Sequence, residues 1–360
     1  MLKPGRLGIP SMKVHEDPRL HPNLKAFFSN IPERPLPAGT ATLTPDSSMS
    51  EIEPLIAWTS HASSIMYDNI PVALPGDENI KIDESMETIK GVDGNDIKLY
   101  ISKPAGTSSR LPAVLYIHGG AMVSGTTSNQ VHDAWRHDLA HQGLVAIAVD
   151  FRNAYLPGGI HHPFPAGLND CFSALEWIHA HRSQLGISKL VVQGESGGAN
   201  LSLATTLKAK KEGKLDAIDG VYASIPYISG DYRHSEEWKL EHYPSMVEND
   251  EYFLGCHRMA LLVAWYDPGH KNKENPLAWP SYSTVEDLKG LPPHVVIVNE
   301  LDPLRDEGWE HFRKLQDAGN AVVGKMNLGT THGAELIFRQ AVSQARMDQV
   351  RDIKGFAYSL

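Results

Sequence analysis

"VVQGESGGAN", residues 191–200, crowds Gly194, Gly197 and Gly198 around Ser196 directly after an apolar run. KLVVQG (189–194) reads as a buried strand, and residues 197–212 read as the helix that follows it. A serine at such a junction fits the G-x-S-x-G arrangement, where a sharp, strained turn lifts the hydroxyl into the open. The glycines then have a physical reason. Strand and helix cross closely, and a side chain at Gly194 or Gly198 would collide. The same turn puts neighbouring N–H groups at the positive end of a helix. The plainer alternative is a serine that merely caps the helix.

Outward from this point the chain alternates strand and helix. SMETIKG and DIKLYISK flank the turn signal VDGN and predict a hairpin. PAVLYIH (112–118) precedes a helix near 129–142, and LVAIAVDF (144–151) precedes one near 165–183. GVYASIP (220–226), HVVIVNEL (294–301) and AVVGKMNLG (321–329) read as further strands, with a helix at 304–318 and a terminal helical region. Near-continuous Val/Ile/Ala runs are what strands buried on both faces require, and strand–helix repetition implies right-handed crossovers and a mostly parallel sheet. The Pro-rich residues 1–50 read as loop, followed by a helix near 50–63. The rhythm breaks at 229–275, a charged, aromatic-rich and helical stretch that reads as an insertion over the sheet. The expected organisation is an N-terminal cap segment (1–75), a first core part (76–228), a cap insertion (229–275) and a second core part (276–360).

In an open parallel sheet, sites form at the carboxyl ends of strands. A serine hydroxyl is a poor nucleophile at neutral pH, so it needs a base, and the base needs an orienting carboxylate. HVVIVNEL runs into Asp302, and AVVGKMNLG runs towards His332 in TTHGAE. The order Ser196, Asp302, His332 is that of the α/β-hydrolase arrangement. Among eighteen histidines, His332 is selected by its place beside a loop glycine after the last strand. Glu300 and Asp306 rival Asp302, but the first sits at the strand end and the second enters the helix. "HGGA", His118 to Ala121, follows PAVLYI, and consecutive small residues let N–H groups turn into a cavity. With the N–H of Gly197, such donors would hold an oxyanion, each worth about 2.7–4 kcal/mol.

Taken together, HGGA, GESGG, ELDPLRDEG and THG resemble the signatures of the hormone-sensitive-lipase-like carboxylesterases, the bacterial family IV branch of the α/β-hydrolases. "VDFRNAYLPGGIHHPFPAGLNDC" (149–171) continues the likeness, which covers roughly residues 85–345. The resemblance implies an α/β-hydrolase fold with an eight-stranded, mostly parallel sheet flanked by helices and a helical cap. It also implies cofactor-free ester hydrolysis with no metal. Carried over by motif, Ser196 is the nucleophile, His332 the general acid/base and Asp302 its orienting partner. Gly119, Gly120, Ala121 and Gly197 line the oxyanion hole. Ala121 stands where the family usually has glycine, Gly197 where it usually has alanine, and Glu195 where it usually has aspartate. Stretches between 189 and 335 are especially similar to a member that hydrolyses a macrocyclic lactone. A lactonase is therefore the alternative to a small-ester hydrolase. A non-catalytic receptor on the same fold is disfavoured, because the plant gibberellin receptors lack the histidine that His332 supplies. Family members also dimerise through the edge of the last strand, which makes a homodimer one expected state.

Composition narrows the partners. The chain has 360 residues, 41% hydrophobic and 21% charged, with a net charge of −10 and a pI near 6.0. That suits a large buried core and argues against nucleic acid or an anionic membrane surface. Two cysteines, Cys171 and Cys256, form no disulfide framework. No stretch approaches a membrane span, and residues 1–30 lack the apolar region of a secretory signal, so a cytoplasmic location is expected. His161 and His162 have no evident third partner for a metal. Tyr243, Tyr252, Phe253, Trp265 and Tyr266 are expected to form cap core rather than line a pocket.

Overall fold

The computed structural model describes residues 3–30, 35–79 and 81–360. Its sheet has eight strands: β1 (Ile82–Lys90), β2 (Asp96–Pro104), β3 (Leu111–Ile117), β4 (Val145–Asp150), β5 (Ile187–Glu195), β6 (Gly220–Ser224), β7 (His294–Leu301) and β8 (Val322–Thr331). They lie in the order β1-β2-β4-β3-β5-β6-β7-β8. β2 runs antiparallel to both of its neighbours, and every other pair is parallel. The expected sheet is thus present, with the 82–90/96–104 hairpin at one edge. β3, β5 and β6 are buried along almost their whole length, as their unbroken apolar runs demand.

The main helices are α1 (Met49–Asn69), α2 (Gln130–His141), α3 (Ala166–Ala180), α4 (Gly197–Lys211), α5 (Cys256–Tyr266), α6 (Arg305–Asp317) and α7 (Ser343–Ser359). One set of buried side chains, including Ile101, Leu115, Val192, Leu175 and Leu203, packs α3 and α4 on one face of the sheet. Another, including Val114, Val191, Trp135, Val350 and Ile353, packs α2 and α7 on the opposite face. Alternating residues of the same strands serve the two faces, which is the period-2 geometry of a sheet covered on both sides.

Two regions lie outside this sandwich. The N-terminal stretch is more ordered than its Pro-rich sequence suggests: Pro22–Asn30 is helical, and α1 extends six residues beyond the expected end at 63. Leu24 on the first of these helices is fully buried, and Phe27 and Phe28 pack on Phe338. Tertiary packing has therefore overridden weak local periodicity. The insertion after β6 carries helices Glu236–His242, Ser245–Glu248 and α5. It joins the N-terminal stretch through Arg19–Glu248 and through His257 Nε2 to the Thr40 carbonyl, 3.0 Å apart. α5 also leans on the loop after β4, where Trp265 Nε1 donates to the Ala154 carbonyl.

Candidate active site

Sheet register brings the three distant side chains to one rim. Glu195 pairs with Ser224 and Ser224 with Ile297, so Ser196 leaves β5 two strands away from β7. Leu301 pairs with Thr331, so Asp302 and His332 are each the first residue beyond a matched pair on β7 and β8. His332 Nδ1 donates to Asp302 Oδ2 at 2.7 Å, and Asp302 Oδ1 accepts from Leu304 N–H at 2.9 Å. Asp302 is fully buried and His332 is nearly so. A carboxylate on Nδ1 fixes the proton there and leaves Nε2 as the base.

Ser196 has φ 55° and ψ −120°, a left-handed backbone that a residue with a Cβ adopts only under constraint. The constraint is visible around it. Its N–H donates to the Ser224 carbonyl, and a Cβ on Gly194 or Gly198 would overlap the crossing backbone of Gly198 or Ile117. Although Ser196 stands at the N-cap position of α4, its side chain makes no capping hydrogen bond. It remains partly exposed while Glu195, Gly197 and Gly198 are buried. Capping alone does not account for it.

The HGGA turn lies against this elbow. A Cβ on Gly197 would sit 2.7 Å from Ala121 N and 2.6 Å from Met122 N, so only glycine allows this approach. Ala121 and Met122 both have left-handed φ, 56° and 59°, which turns their backbone towards the start of α4. Thus the chain carries a methyl on the loop at Ala121 and omits one on the elbow at Gly197. Gly119 differs from its neighbours. Its N–H donates to Glu195 Oε1 at 2.6 Å, which removes it from the donors available to an oxyanion. Gly119 therefore belongs to the loop's anchorage, whereas the N–H groups of Gly120, Ala121 and Gly197 donate to no backbone acceptor among the described residues. This corrects the expectation that all four residues would serve alike.

Some residues the motifs did not single out hold the rim in place. Asn249 Nδ2 donates to the carbonyls of Glu300 and Asp302, each at 3.1 Å, and Ser245 Oγ donates to that of Pro303. Asn299 Nδ2 donates to the Thr331 carbonyl at 2.7 Å and to Glu335 Oε2 at 2.9 Å, steadying the residue before His332. None of these sits in a recognisable local pattern. The rivals to Asp302 have other work: Glu300 Oε2 accepts from Gly329 N–H, and Asp306 Oδ2 from Ser245 N–H.

Charges around the elbow are set by burial. Burial pushes Glu195 up to about 8, against the pull of Gly119 N–H and Tyr116 OH. Burial also pushes His118 down to about 4 and His132 down to about 3. His118 stacks between His132 and Phe151, and its Nδ1 donates to the Gly119 carbonyl. His161 Nε2 meets the Trp265 carbonyl at 2.8 Å, so this ring nitrogen serves packing. Tyr243, Tyr252, Trp265 and Tyr266 are buried within the insertion and its contacts, and Phe253 packs on Phe28 and Phe338.

Comparison with known proteins agrees with this geometry. Residues 114–336 match a family described by the alpha/beta hydrolase fold. Carboxylesterase NlhH of Mycobacterium tuberculosis is 30% identical over 241 residues, 66% of this chain and 70% of that protein. An arylesterase of Saccharolobus solfataricus is 30% identical over 223 residues, 61% of this chain and 67% of that protein. Among solved structures, brefeldin A esterase, a bacterial homologue of human hormone-sensitive lipase, superposes with a TM-score of 0.94 at 47% identity. That match covers 99% of this chain and 98% of the other. Esterase Est22 superposes with a TM-score of 0.80 at 35% identity, covering 96% and 99%.

Proposed function

The chain belongs to the α/β-hydrolase fold family and is a carboxylic ester hydrolase of its hormone-sensitive-lipase-like branch; on that premise we propose that it is a serine carboxylesterase working through an acyl-enzyme. Ser196 Oγ attacks the ester carbonyl, and His332 Nε2 takes the hydroxyl proton. Asp302 accepts from Nδ1 and stabilises the imidazolium that forms. Negative charge developing on the carbonyl oxygen meets the N–H groups of Gly120, Ala121 and Gly197 at the start of α4. The imidazolium returns its proton to the leaving alkoxide, which departs as the alcohol. Water, activated by the same imidazole, then releases the acid and restores Ser196.

The observation that carries this reading is the buried 2.7 Å His332–Asp302 pair, one step past matched positions of two strands, at the rim where Ser196 is held at φ 55°. The expected substrates are small to medium carboxylic esters. Replacing Ser196 with Ala abolishes hydrolysis of p-nitrophenyl acetate or butyrate on this account, and undiminished turnover would refute it.

A second reading, a lactonase acting on a macrocyclic lactone, is favoured by the 47% identity to brefeldin A esterase along the whole chain. The chemistry is the same, since a lactone is an internal ester and acid and alcohol leave as one molecule. Comparing kcat/KM for linear esters and macrocyclic lactones chooses between them. At least tenfold preference for the lactone supports the second reading, and preference for linear esters the first.

A further inference from the structure

Glu195 is the one acid in the elbow, and its side chain joins the nucleophile's turn to the loop opposite. Oε1 accepts from Gly119 N–H at 2.6 Å and from Tyr116 OH at 3.1 Å. A Cβ on Gly119 would lie 3.1 Å from the Glu195 carbonyl oxygen and 3.4 Å from Ser196 Cβ, so loop and elbow touch here. The next residues of that loop, Gly120 and Ala121, carry the N–H groups assigned above to the oxyanion. The orientation of those donors therefore depends on where Glu195 holds Gly119.

The far oxygen, Oε2, has no partner among the described residues and is buried. Glu195 lines a small cavity together with Gln193, Ser224, Asn299, Asn327, Glu335 and Gln349, among others. Gln193, on the same cavity, has its Nε2 likewise buried and unpaired among the described residues. Such a polar space suits an ordered water, which would accept from a protonated Oε2. The direct partners of Glu195 are neutral donors, and no Lys or Arg side chain pairs with it among the described residues.

Burial outweighs what the surrounding groups offer an ionised Glu195. Tyr116 on β3 and Tyr67 on α1 are pushed up by burial and stay neutral. His132 on α2 has Nε2 4.0 Å from Oε1, but burial keeps this imidazole neutral, like its stacking partner His118. Glu335, across the cavity, is also raised by burial. Arg346 on α7 is a cation whose charge favours the ionised form, but its Nε donates to Asp138 Oδ2 at 2.6 Å and no hydrogen bond joins it to Glu195 among the described residues. Removing the proton thus leaves a buried negative charge beside the place where the oxyanion forms.

We propose that Glu195 is a positioning residue: while neutral it holds the oxyanion loop against the elbow, and on losing its proton it opposes the developing oxyanion. Ester hydrolysis then has an alkaline limb set by a residue outside the triad. This rests on Ser196 being the nucleophile. The positioning role stands on the contacts of Glu195 with Gly119 and Tyr116, and the raised proton affinity described above agrees with it.

The test measures hydrolysis of a butyrate ester by pH-stat from pH 6 to 10, normalised to sites titrated with a fluorophosphonate. The native enzyme is expected to lose kcat/KM along a one-proton curve, about tenfold per pH unit beyond its midpoint. Glu195→Gln keeps the Oε1 acceptor and cannot ionise, so it is expected to stay within about threefold of native at pH 7 and lose the alkaline fall. Glu195→Ala releases Gly119 and is expected to cost about 10- to 100-fold in kcat, with little change in KM. An unchanged alkaline fall in Glu195→Gln, or native kcat in Glu195→Ala, would overturn the proposal. Should Glu195→Ala not fold, the Glu195→Gln profile decides alone. Failure of the fluorophosphonate to label Ser196 would overturn the nucleophile assignment and this inference together. Normal labelling with an unaltered profile in Glu195→Gln would overturn this inference only.

Discussion

Two buried glutamates in this molecule are held in opposite ways. Glu195 in the nucleophile's elbow is bound by neutral donors, Gly119 N–H and Tyr116 OH, and burial pushes it up to about 8. Glu248 in the insertion is as well buried, yet it sits between two guanidiniums, Arg305 Nη2 at 2.9 Å and Arg19 Nη1 at 2.5 Å. Burial raises it too, but the hydrogen bonds and charge of Arg305 and Arg19 together hold it below the usual range. Burial raises both acids and prevails at Glu195, while at Glu248 the two guanidiniums overcome it. Whether a cation lies alongside therefore separates the two, and that follows from the work of each region. The rim must meet negative charge created during the reaction, so its acid is kept neutral. The insertion has to be fastened to the N-terminal stretch and to the start of α6, which an ion network does across sequence separations of 229 and 57 residues.

Substitutions at the rim and at the clamp should part accordingly. At the rim, Ser196→Ala is expected to lower kcat by on the order of 10⁴-fold or more, with thermal stability close to native. Asp302→Asn is expected to cost about 10⁴-fold, because the amide favours the wrong imidazole tautomer. Both are read from steady-state kinetics with a melting curve alongside. In the clamp, Glu248→Gln leaves the triad in place but breaks two charged pairs, and is expected to cost about 2–4 kcal/mol in chemical denaturation. A loss of kcat as large as at the rim would show that the two regions do not divide stability and chemistry in this way.

Opposite pH dependences give the finest division. Glu248 is depressed in the folded chain, so its contribution is present above the ordinary carboxylate value of 4.5 and is lost as pH falls below it. Melting curves of native and Glu248→Gln protein should converge as the pH is lowered through that range. Glu195 is raised, so between about 4.5 and 8 the folded chain holds a proton the unfolded chain has released. Stability then falls as pH rises across that window. Glu195→Gln should gain about 3–6 °C in Tm relative to native on going from pH 5 to pH 8. A parallel pair of curves would remove the distinction drawn between the two acids.

How far the sequence could be read follows the same line between local and distant contacts. Ser196 was legible because its turn is a local steric problem, solved by Gly194 and Gly198 within the same stretch. Asp302 and His332 were legible as residues ending strands, and the unbroken apolar runs of β3, β5 and β6 announced a sheet covered on both faces. The helix Pro22–Asn30 was not, since its periodicity is poor and it is ordered by packing on Phe338, over three hundred residues away. Asn249, Asn299 and the Arg19–Glu248–Arg305 clamp were hidden for the same reason. Gly119 is a subtler case. HGGA displays equivalent donors, and only the fold shows that Glu195 takes the first. An acid immediately before the nucleophile was the available clue.

The central claim is that Ser196, backed by the His332–Asp302 pair, is the nucleophile. Intact-protein mass spectrometry after fluorophosphonate treatment, with peptide mapping, tests it most directly. The account predicts a single adduct on Ser196 in the native chain, none in Ser196→Ala, and labelling of Asp302→Asn slowed by orders of magnitude. An adduct on another residue, or equal labelling of Ser196→Ala, would contradict it.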